Sequence, residues 1–193
     1  DEVMRIAKKH NLLVVEDCAH ACFAKYNGRY VGSYGDVNAF SFNPGKNLGA
    51  YGDAGAIATA DEKFFTLVNK IYDHGRLSNY LHDVIGYNLR MDWLQGGVLS
   101  VKLKYIEKWT KLRQEHAAKY NALFAKNPKI KTPTVTPNGE HVYHLYVLQV
   151  PNRDEMMKQM KEKGVDVRNQ YPVPLHLQPA FAYLGHKKGD FPV

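Results

Sequence analysis

A lysine, Lys46, lies between a short β-prone run and a cluster of glycines. Residues 37–42 can form a buried strand, and Pro44 with Gly45 ends it. The glycines beyond the lysine permit turns and close backbone approaches; they are Gly49, Gly52 and Gly55. Loops at strand ends are where α/β proteins carry reactive groups. Lys46 is therefore a candidate amine for binding an aldehyde, such as that of a cofactor, although a solvated loop lysine has the same local pattern.

A carboxylate follows another predicted strand, upstream of the lysine. Residues 3–10 have apolar positions at helical spacing, and residues 12–15 form an apolar run typical of a buried strand. Glu16 and Asp17 come directly after this run, where a parallel strand leaves its sheet and meets a ligand. Because successive strand residues point to opposite faces, at most one of these acids can face a given site. We favour Asp17, with a helix N-cap as its alternative role.

These motifs are similar to those of the DegT/StrS-type sugar aminotransferases, a branch of the fold-type-I enzymes that use pyridoxal 5'-phosphate (PLP). The similarity covers most of the chain: residues 12–21, 32–58, 73–103 and 171–193. It implies an α/β fold, made of the back half of a large domain with a mixed or parallel sheet and an incomplete small α+β domain. It also implies PLP as cofactor, and an amino acid donor and a keto-sugar nucleotide as substrates.

The same resemblance implies a role for each residue of the two motifs. Asp17 matches the aspartate that pairs with the pyridine nitrogen of PLP, and Lys46 matches the lysine that forms a Schiff base with it. Ala19 would pack on the ring, and His20 would lie near the ring oxygen. Ser41 matches the hydroxyl that binds the cofactor phosphate, with an ordinary strand serine as the alternative.

The chemistry of PLP explains why an acid and an amine are needed together. The cofactor stores the carbanion left when a proton leaves the carbon next to nitrogen, and it does so only while its pyridine nitrogen is protonated. A carboxylate such as Asp17 raises the pKa of that nitrogen. Lys46, once the amino donor has released it, can move the proton as general base and then as general acid.

Two further residues are implied by resemblance alone. Residues 86–92 resemble a segment that crosses a dimer interface, so Asn88 is expected to reach the cofactor phosphate of the neighbouring subunit in a homodimer with shared active sites. Residues 172–179 resemble a segment that returns toward the active site. His176 is therefore a candidate substrate contact, with a structural role as the alternative.

The chain also departs from the family pattern. The family has a long region upstream of the helix that opens this chain, including the phosphate cradle, an aromatic that stacks on the ring and several strands. We therefore expect the chain to be a fragment cut at both ends, and inactive alone. Gly96 and Gly97 replace the usual alanines in a predicted helix, at a cost of about 1 kcal/mol each.

The remaining sequence predicts two domains. Asp61 can cap a helix that follows it, and residues 91–126 read as one long helix or two joined ones. Proline and an Asn-Gly pair break residues 127–139, so the domains are predicted at 1–126 and 127–193. In the second, residues 141–150 and 165–171 are expected to be extended, and residues 154–163 helical. His141 and His144 would lie on opposite faces of a strand, so no metal site is expected.

Composition agrees with these predictions but does not distinguish between the candidate functions. The 193 residues are 45% hydrophobic and carry a net charge of +7, which suits a phosphate-rich substrate such as a nucleotide sugar and would equally suit nucleic acid. No apolar run reaches the length of a membrane span. Cys18 and Cys22 are read as reduced packing thiols of a cytoplasmic protein.

The expected function is amino transfer from an amino acid, commonly L-glutamate in such families, to a keto-sugar nucleotide. A PLP-dependent sugar dehydratase of the same fold is the first alternative, but such enzymes replace the lysine with histidine, and Lys46 argues against it. A non-catalytic basic α/β module that binds phosphate ligands or nucleic acid is the second alternative. It leaves the coincidence of Asp17 and Lys46 unexplained, and our prediction includes neither nucleic acid nor membrane as a partner.

Overall fold

The computed structural model describes residues 1–192 and divides into two compact units. The first contains residues 1–126 and 133–146, and the second contains residues 127–132 and the chain from residue 147 onward. The structure thus differs from the predicted boundary, which placed everything after residue 126 in a second domain. Residues 133–146 join the first unit because a strand within them pairs with residues 25–26 and because Asn47 Nδ2 donates to Val142 O at 3.0 Å.

The first unit contains helices α1 (Glu2–Lys9), α2 (Glu62–Tyr72), α3 (Trp93–Leu103) and α4 (Ile106–Phe124). Its strands are β1 (Val15–Asp17), β2 (Lys25–Tyr26), β3 (Arg29–Tyr30), β4 (Val37–Ser41), β5 (Gly55–Ala58) and β6 (Gly139–Glu140). The second unit contains helix α5 (Arg153–Glu162) and two 3-10 segments, Leu175–Leu177 and Pro179–Leu184. The structure is therefore mixed α/β.

Two three-stranded sheets organise the first unit. One has the order β1-β4-β5, with β1 and β4 parallel and β5 antiparallel to β4. The other has the order β3-β2-β6 and is antiparallel throughout. In the parallel pair Asp17 lies opposite Ala39, so the carboxyl ends of β1 and β4 lie side by side, and we call this end of the strands the sheet edge. The chain leaves that edge once just after Asp17 and once, through Ser41, toward Lys46.

Two buried or half-buried polar side chains hold this sheet in register. Asn38 on β4 is 2% exposed, and its Nδ2 donates to Ala58 O of β5 at 2.9 Å. On β1, Glu16 Oε2 accepts hydrogen bonds from the backbone N–H groups of residues 34 and 35, at 3.2 and 3.3 Å. Glu16 is thereby committed to the fold, whereas the side chain of Asp17 is exposed at the sheet edge.

The hydrophobic core of the first unit includes the turn that follows the lysine. Its buried members come from both the sheet side and the helices: Cys22, Leu48, Ala50, Leu99 and Ile106. Ile106 and Ala50 are each 1% exposed. Burial of an aliphatic side chain stabilises a fold by about 1.5–3 kcal/mol. Leu48 and Ala50 therefore anchor the chain just beyond Lys46 in this core.

The predicted helices are confirmed. Residues 3–10 correspond to α1, the segment after Asp61 to α2, and residues 154–163 to α5. Asp61 Oδ1 caps α2 by accepting from Lys63 N at 2.7 Å and from Phe64 N at 3.3 Å. The long helical region divides into α3 and α4 at residues 104–105.

Three predicted extended segments are wrong in detail. The apolar run at 12–15 was expected to be a buried strand, but β1 begins only at Val15, and Leu13 and Val15 are 68% and 72% exposed. In its sheet β1 is an edge strand that pairs with β4. Residues 141–150 do not continue as a strand beyond β6, because Tyr143 has a left-handed backbone with φ of 45°. Residues 165–171 form no strand among the described residues.

Candidate functional site

Lys46 lies on a turn whose two ends are fixed by hydrogen bonds. We call residues 43–49 the lysine turn. Lys46 N donates to Asn43 O at 2.8 Å, and Gly45 N donates to Asn43 Oδ1 at 3.2 Å. Just beyond the turn, Ala50 N donates to Phe42 O at 2.8 Å. The lysine side chain is half-buried on this fixed backbone.

The lysine turn closes so tightly that one of its glycines has no room for a side chain. A Cβ on Gly49 would lie 2.5 Å from Pro44 O, as the glycine cluster predicted. From α3, Lys102 Nζ donates to Gly49 O at 2.6 Å and also lies 4.8 Å from the centre of the Tyr51 ring. Helix α3 therefore fixes the far end of the turn.

Asp17 does not cap a helix. Its Oδ1 accepts a hydrogen bond from Ala19 N at 2.9 Å, and the chain continues through a turn into β2. The helix N-cap alternative is therefore wrong, and the carboxylate is held in one orientation by its own backbone. Ser41 ends β4 at the same edge, and its Oγ accepts from Asn43 N at 3.4 Å.

His20 and Ala19 lie in the turn that follows Asp17. Ala19 is half-buried, and the exposed His20 ring packs against the His144 ring with 4.3 Å between centres. The Nδ1 atom of His144 lies 3.1 Å from Asn47 Oδ1, within the lysine turn. We call residues 17–20 the Asp17 turn; the structure brings it and the lysine turn together through His144.

Sequence reasoning missed both His144 and Asn47. His144 was considered only as half of a metal pair and set aside on strand alternation, which does not apply here because residues 141–146 are not a strand. Among residues 1–192, no cluster of three or more metal-ligating side chains is present. A contact across 97 residues has no local sequence signal, so composition and spacing could not have indicated it.

The surroundings of His144 lower its pKa to about 4. Burial is the main cause, and the positive charges of His20, Lys46 and Arg113 add to it. Arg113 also donates from Nη1 to Tyr143 O at 3.0 Å, which ties α4 to this segment. His144 is therefore an uncharged imidazole at neutral pH.

The two cysteines near the site are not activated nucleophiles. Both are free and buried. Burial raises the pKa of Cys18 to about 12, with help from the carboxylates of Glu16 and Asp17, and burial alone raises that of Cys22 to about 11. Since the thiolate is the reactive form, these residues pack the core instead of reacting.

Asn88 and His176 take part in other local contacts. Asn88 is exposed and pairs with Asp73 in an isolated bridge, and its Oδ1 accepts from Arg90 Nη2 at 3.4 Å. His176 belongs to the second unit, where its ring packs on Phe191 with 4.9 Å between centres. The roles expected for both remain predictions.

Comparison with known proteins identifies the family. All 193 residues match the model of the DegT/DnrJ/EryC1/StrS aminotransferase family. The chain belongs to this family. Both the family and the α/β fold class expected from the sequence are thereby confirmed.

Individual relatives are similar over the whole chain. A dTDP-3-amino-3,6-dideoxy-alpha-D-galactopyranose transaminase of Aneurinibacillus thermoaerophilus is 43% identical over 100% of this chain and 52% of that protein. A pleiotropic regulatory protein of Geobacillus stearothermophilus is 44% identical over 100% of this chain and 52% of that protein. The chain thus spans about half the length of the curated relatives it matches.

A solved structure shows the same fold. The X-ray structure of S. venezuelae DesV in complex with a ketimine intermediate superposes with a TM-score of 0.93 and is 37% identical. The match covers 97% of this chain and 51% of that chain. Within residues 1–192, no helix combines the length and apolar character needed to cross a membrane.

Proposed function

We propose that the whole protein containing this chain is a PLP-dependent aminotransferase that moves an amino group from an amino acid, with L-glutamate as first choice, to a keto-sugar nucleotide. One observation carries the proposal: Lys46 lies on a fixed turn at the sheet edge where β1 and β4 end, and Asp17 lies at that same edge. An amine and a carboxylate that lie at or beyond the carboxyl ends of neighbouring parallel strands fit a site for a carbonyl cofactor.

The donor set of this edge suits PLP chemically. It offers an amine for the aldehyde, a carboxylate for the pyridinium nitrogen and a hydroxyl for the phosphate, from Lys46, Asp17 and Ser41. When bound, PLP accepts the electron pair left as a proton leaves the carbon next to the substrate nitrogen. Ala19, being small and half-buried, leaves room for a planar ring, and His20 comes from the same turn.

The protein side chains then have distinct tasks. Asp17 holds the proton on the pyridine nitrogen, because a carboxylate raises the pKa of a cation that it faces. Its hydrogen bond from Ala19 N keeps the carboxylate oriented. Lys46 would first hold the cofactor through its amine and, after release, would take the proton from the substrate carbon next to nitrogen as base and return it to the cofactor's aldehyde carbon as acid. Its turn is fixed by the core, so the amine returns to one position.

The substrate class is supported by the named relatives. The transaminase of A. thermoaerophilus is named for a dTDP-sugar, and the DesV structure holds a ketimine. A net charge of +7 suits the phosphates of a nucleotide sugar. The dehydratase alternative is disfavoured by Lys46, and a non-catalytic module is disfavoured by the aminotransferase family match.

The proposal includes a cytoplasmic homodimer with shared active sites. Exposed apolar side chains near Asn88 support an interface with a second copy: Tyr80 is 92% exposed, Ile85 is 90% exposed and Trp93 is 96% exposed. Large apolar side chains this exposed fit a surface that a second copy covers. The free thiols of Cys18 and Cys22 suit a reducing compartment.

The function is tested by a transamination assay of the whole protein with L-glutamate and a panel of dTDP- and UDP-linked keto-sugars. We expect an amino-sugar nucleotide to form, and Lys46→Ala to abolish its formation. Lys108→Ala, which removes an exposed lysine of α4, is the matched control and should leave turnover unchanged. Full activity in Lys46→Ala, or no transfer to any keto-sugar by the PLP-loaded parent, would contradict the proposal.

A further inference from the structure

Two contacts join residues 142–144 to Asn47 on the lysine turn, and the proposed function does not use them. We call this pair of contacts the tether. The residue next to the lysine, Asn47, is 9% exposed, so its amide must find partners inside the protein. Its Nδ2 lies 3.0 Å from Val142 O, and its Oδ1 lies 3.1 Å from His144 Nδ1. Both partners come from a segment about a hundred residues further along the chain, which the first unit holds in place.

The chemistry of the three groups determines where the protons lie. A backbone carbonyl can only accept, so the amide nitrogen of Asn47 must be the atom that faces Val142 O. The amide oxygen therefore faces the imidazole and can only accept in turn. His144 must then donate from Nδ1, so its neutral form carries the proton on Nδ1 and a lone pair on Nε2.

The groups around His144 favour this neutral form. His20 faces it from the Asp17 turn, Lys46 from the lysine turn and Arg113 from α4, and each bears or can bear a positive charge. The hydrogen-bond partner described for its ring is an amide, not a carboxylate. Together with burial, these charges hold the pKa of His144 near 4.

We propose that His144 is a positioning residue that fixes the lysine turn through Asn47 and so places the amine of Lys46 for proton transfer. This inference rests on the proposed function for its kinetic consequence. Without the imidazole donor, Asn47 Oδ1 would be buried and unpaired, and of the two hydrogen bonds of the Asn47 side chain only that to Val142 O would remain. A catalytic group displaced by about 1 Å can lose about a hundredfold in rate.

The test compares variants of the whole, PLP-loaded protein. His144→Leu keeps an apolar side chain of related size but removes the donor. His144→Asn places an amide N–H near the position of Nδ1 and should restore the tether. His116→Leu removes an exposed histidine of α4 and is the matched control. Steady-state kcat and KM of transamination are measured for each variant, the half-reaction with amino donor alone is followed as a second readout, and backbone hydrogen exchange is measured over the lysine turn.

We expect His144→Leu to lower kcat by about tenfold to a hundredfold with KM changed less than about threefold. Exchange over the lysine turn should speed up in the same variant. His144→Asn should recover most of the rate and of the protection, and His116→Leu should match the parent. A kcat of His144→Leu within about threefold of the parent, or slow exchange retained over the turn, would overturn the proposal.

A double-mutant cycle keeps the proposal falsifiable if one variant folds poorly. In an Asn47→Ala background the tether is already absent, so adding His144→Leu should change kcat by less than about threefold. Losses that multiply fully would show that His144 acts independently of Asn47. The exchange measurement does not depend on catalytic activity. If the parent protein failed every transamination assay but His144→Leu still showed fast exchange over the lysine turn, the proposed function would be wrong and the structural role of His144 would be supported.

Discussion

The closure of the lysine turn can be tested by adding a single methyl group at Gly49. A Cβ there would lie 2.5 Å from Pro44 O, 2.9 Å from Pro44 C and 3.0 Å from Asn43 O. These are backbone atoms of the turn itself, so no side chain can rotate away. Gly49 lies outside the left-handed region, so the clash accounts for the whole cost.

The expected magnitude follows from overpacking. Forcing a methyl group into a closed backbone costs about 1–3 kcal/mol, because the turn or its core anchors must shift. Gly97→Ala is the matched control: a Cβ there meets nothing within 4 Å, and the residue lies inside α3. That substitution should stabilise the protein by about 0.5–1 kcal/mol.

Urea unfolding and thermal unfolding of the apoprotein measure the stability of Gly49→Ala and Gly97→Ala against that of the parent. We expect Gly49→Ala to lower the free energy of unfolding, with the apparent Tm falling by about 2 °C or more for each kcal/mol lost. Gly97→Ala should raise it. If Gly49→Ala were as stable as the parent, the turn would have slack, and the argument that Lys46 is held rigidly would fail.

Four further outcomes are expected. Asp17→Asn should still bind PLP but lose most of the half-reaction with amino donor, because an amide cannot hold the pyridinium proton; turnover within about threefold of the parent would contradict the role. Asn88→Ala should weaken PLP binding about 10- to 150-fold, since a hydrogen bond to a charged phosphate contributes about 1.5–3 kcal/mol. A heterodimer of Lys46→Ala and Asn88→Ala subunits, assayed at low PLP, should regain one working site if the sites are shared; activity no higher than that of the Asn88→Ala homodimer would exclude sharing. Between pH 6.5 and about 4 the unfolded chain takes up a proton that folded His144 does not, so the free energy of unfolding should fall as the pH falls through this window. The loss should be smaller than about 1.4 kcal/mol per pKa unit, because solvent reaches part of the ring, and an equally steep profile in His144→Leu would contradict this assignment.

The parts of the site that lie in short contiguous segments could be predicted from the sequence. Lys46 follows a strand and precedes a glycine that the turn requires, and Asp17 is the last residue of another strand of the same sheet. Helix caps are equally local, which explains why Asp61 was predicted correctly. Such features depend on neighbours within a few residues, where propensity and spacing carry the signal.

The parts that depend on distant contacts could not be predicted. Residues 133–146 were assigned to a second domain because prolines break the chain, yet a strand pairing and the Asn47 tether hold them in the first unit. The prediction that His141 and His144 lie on opposite faces of a strand was wrong, because the left-handed backbone at Tyr143 interrupts the extended conformation. The prediction that residues 12–15 are buried was wrong for a related reason. An apolar run does not reveal whether its strand lies at the edge of a sheet.

The identity of the cofactor-binding lysine is the central claim, and chemical trapping tests it most directly. The whole protein is mixed with PLP, reduced with borohydride and digested, and the modified peptide is located by mass spectrometry. We expect the label on Lys46, a yellow absorbance band before reduction, and neither in Lys46→Ala. A label on any other lysine, or an unchanged band in Lys46→Ala, would contradict the account.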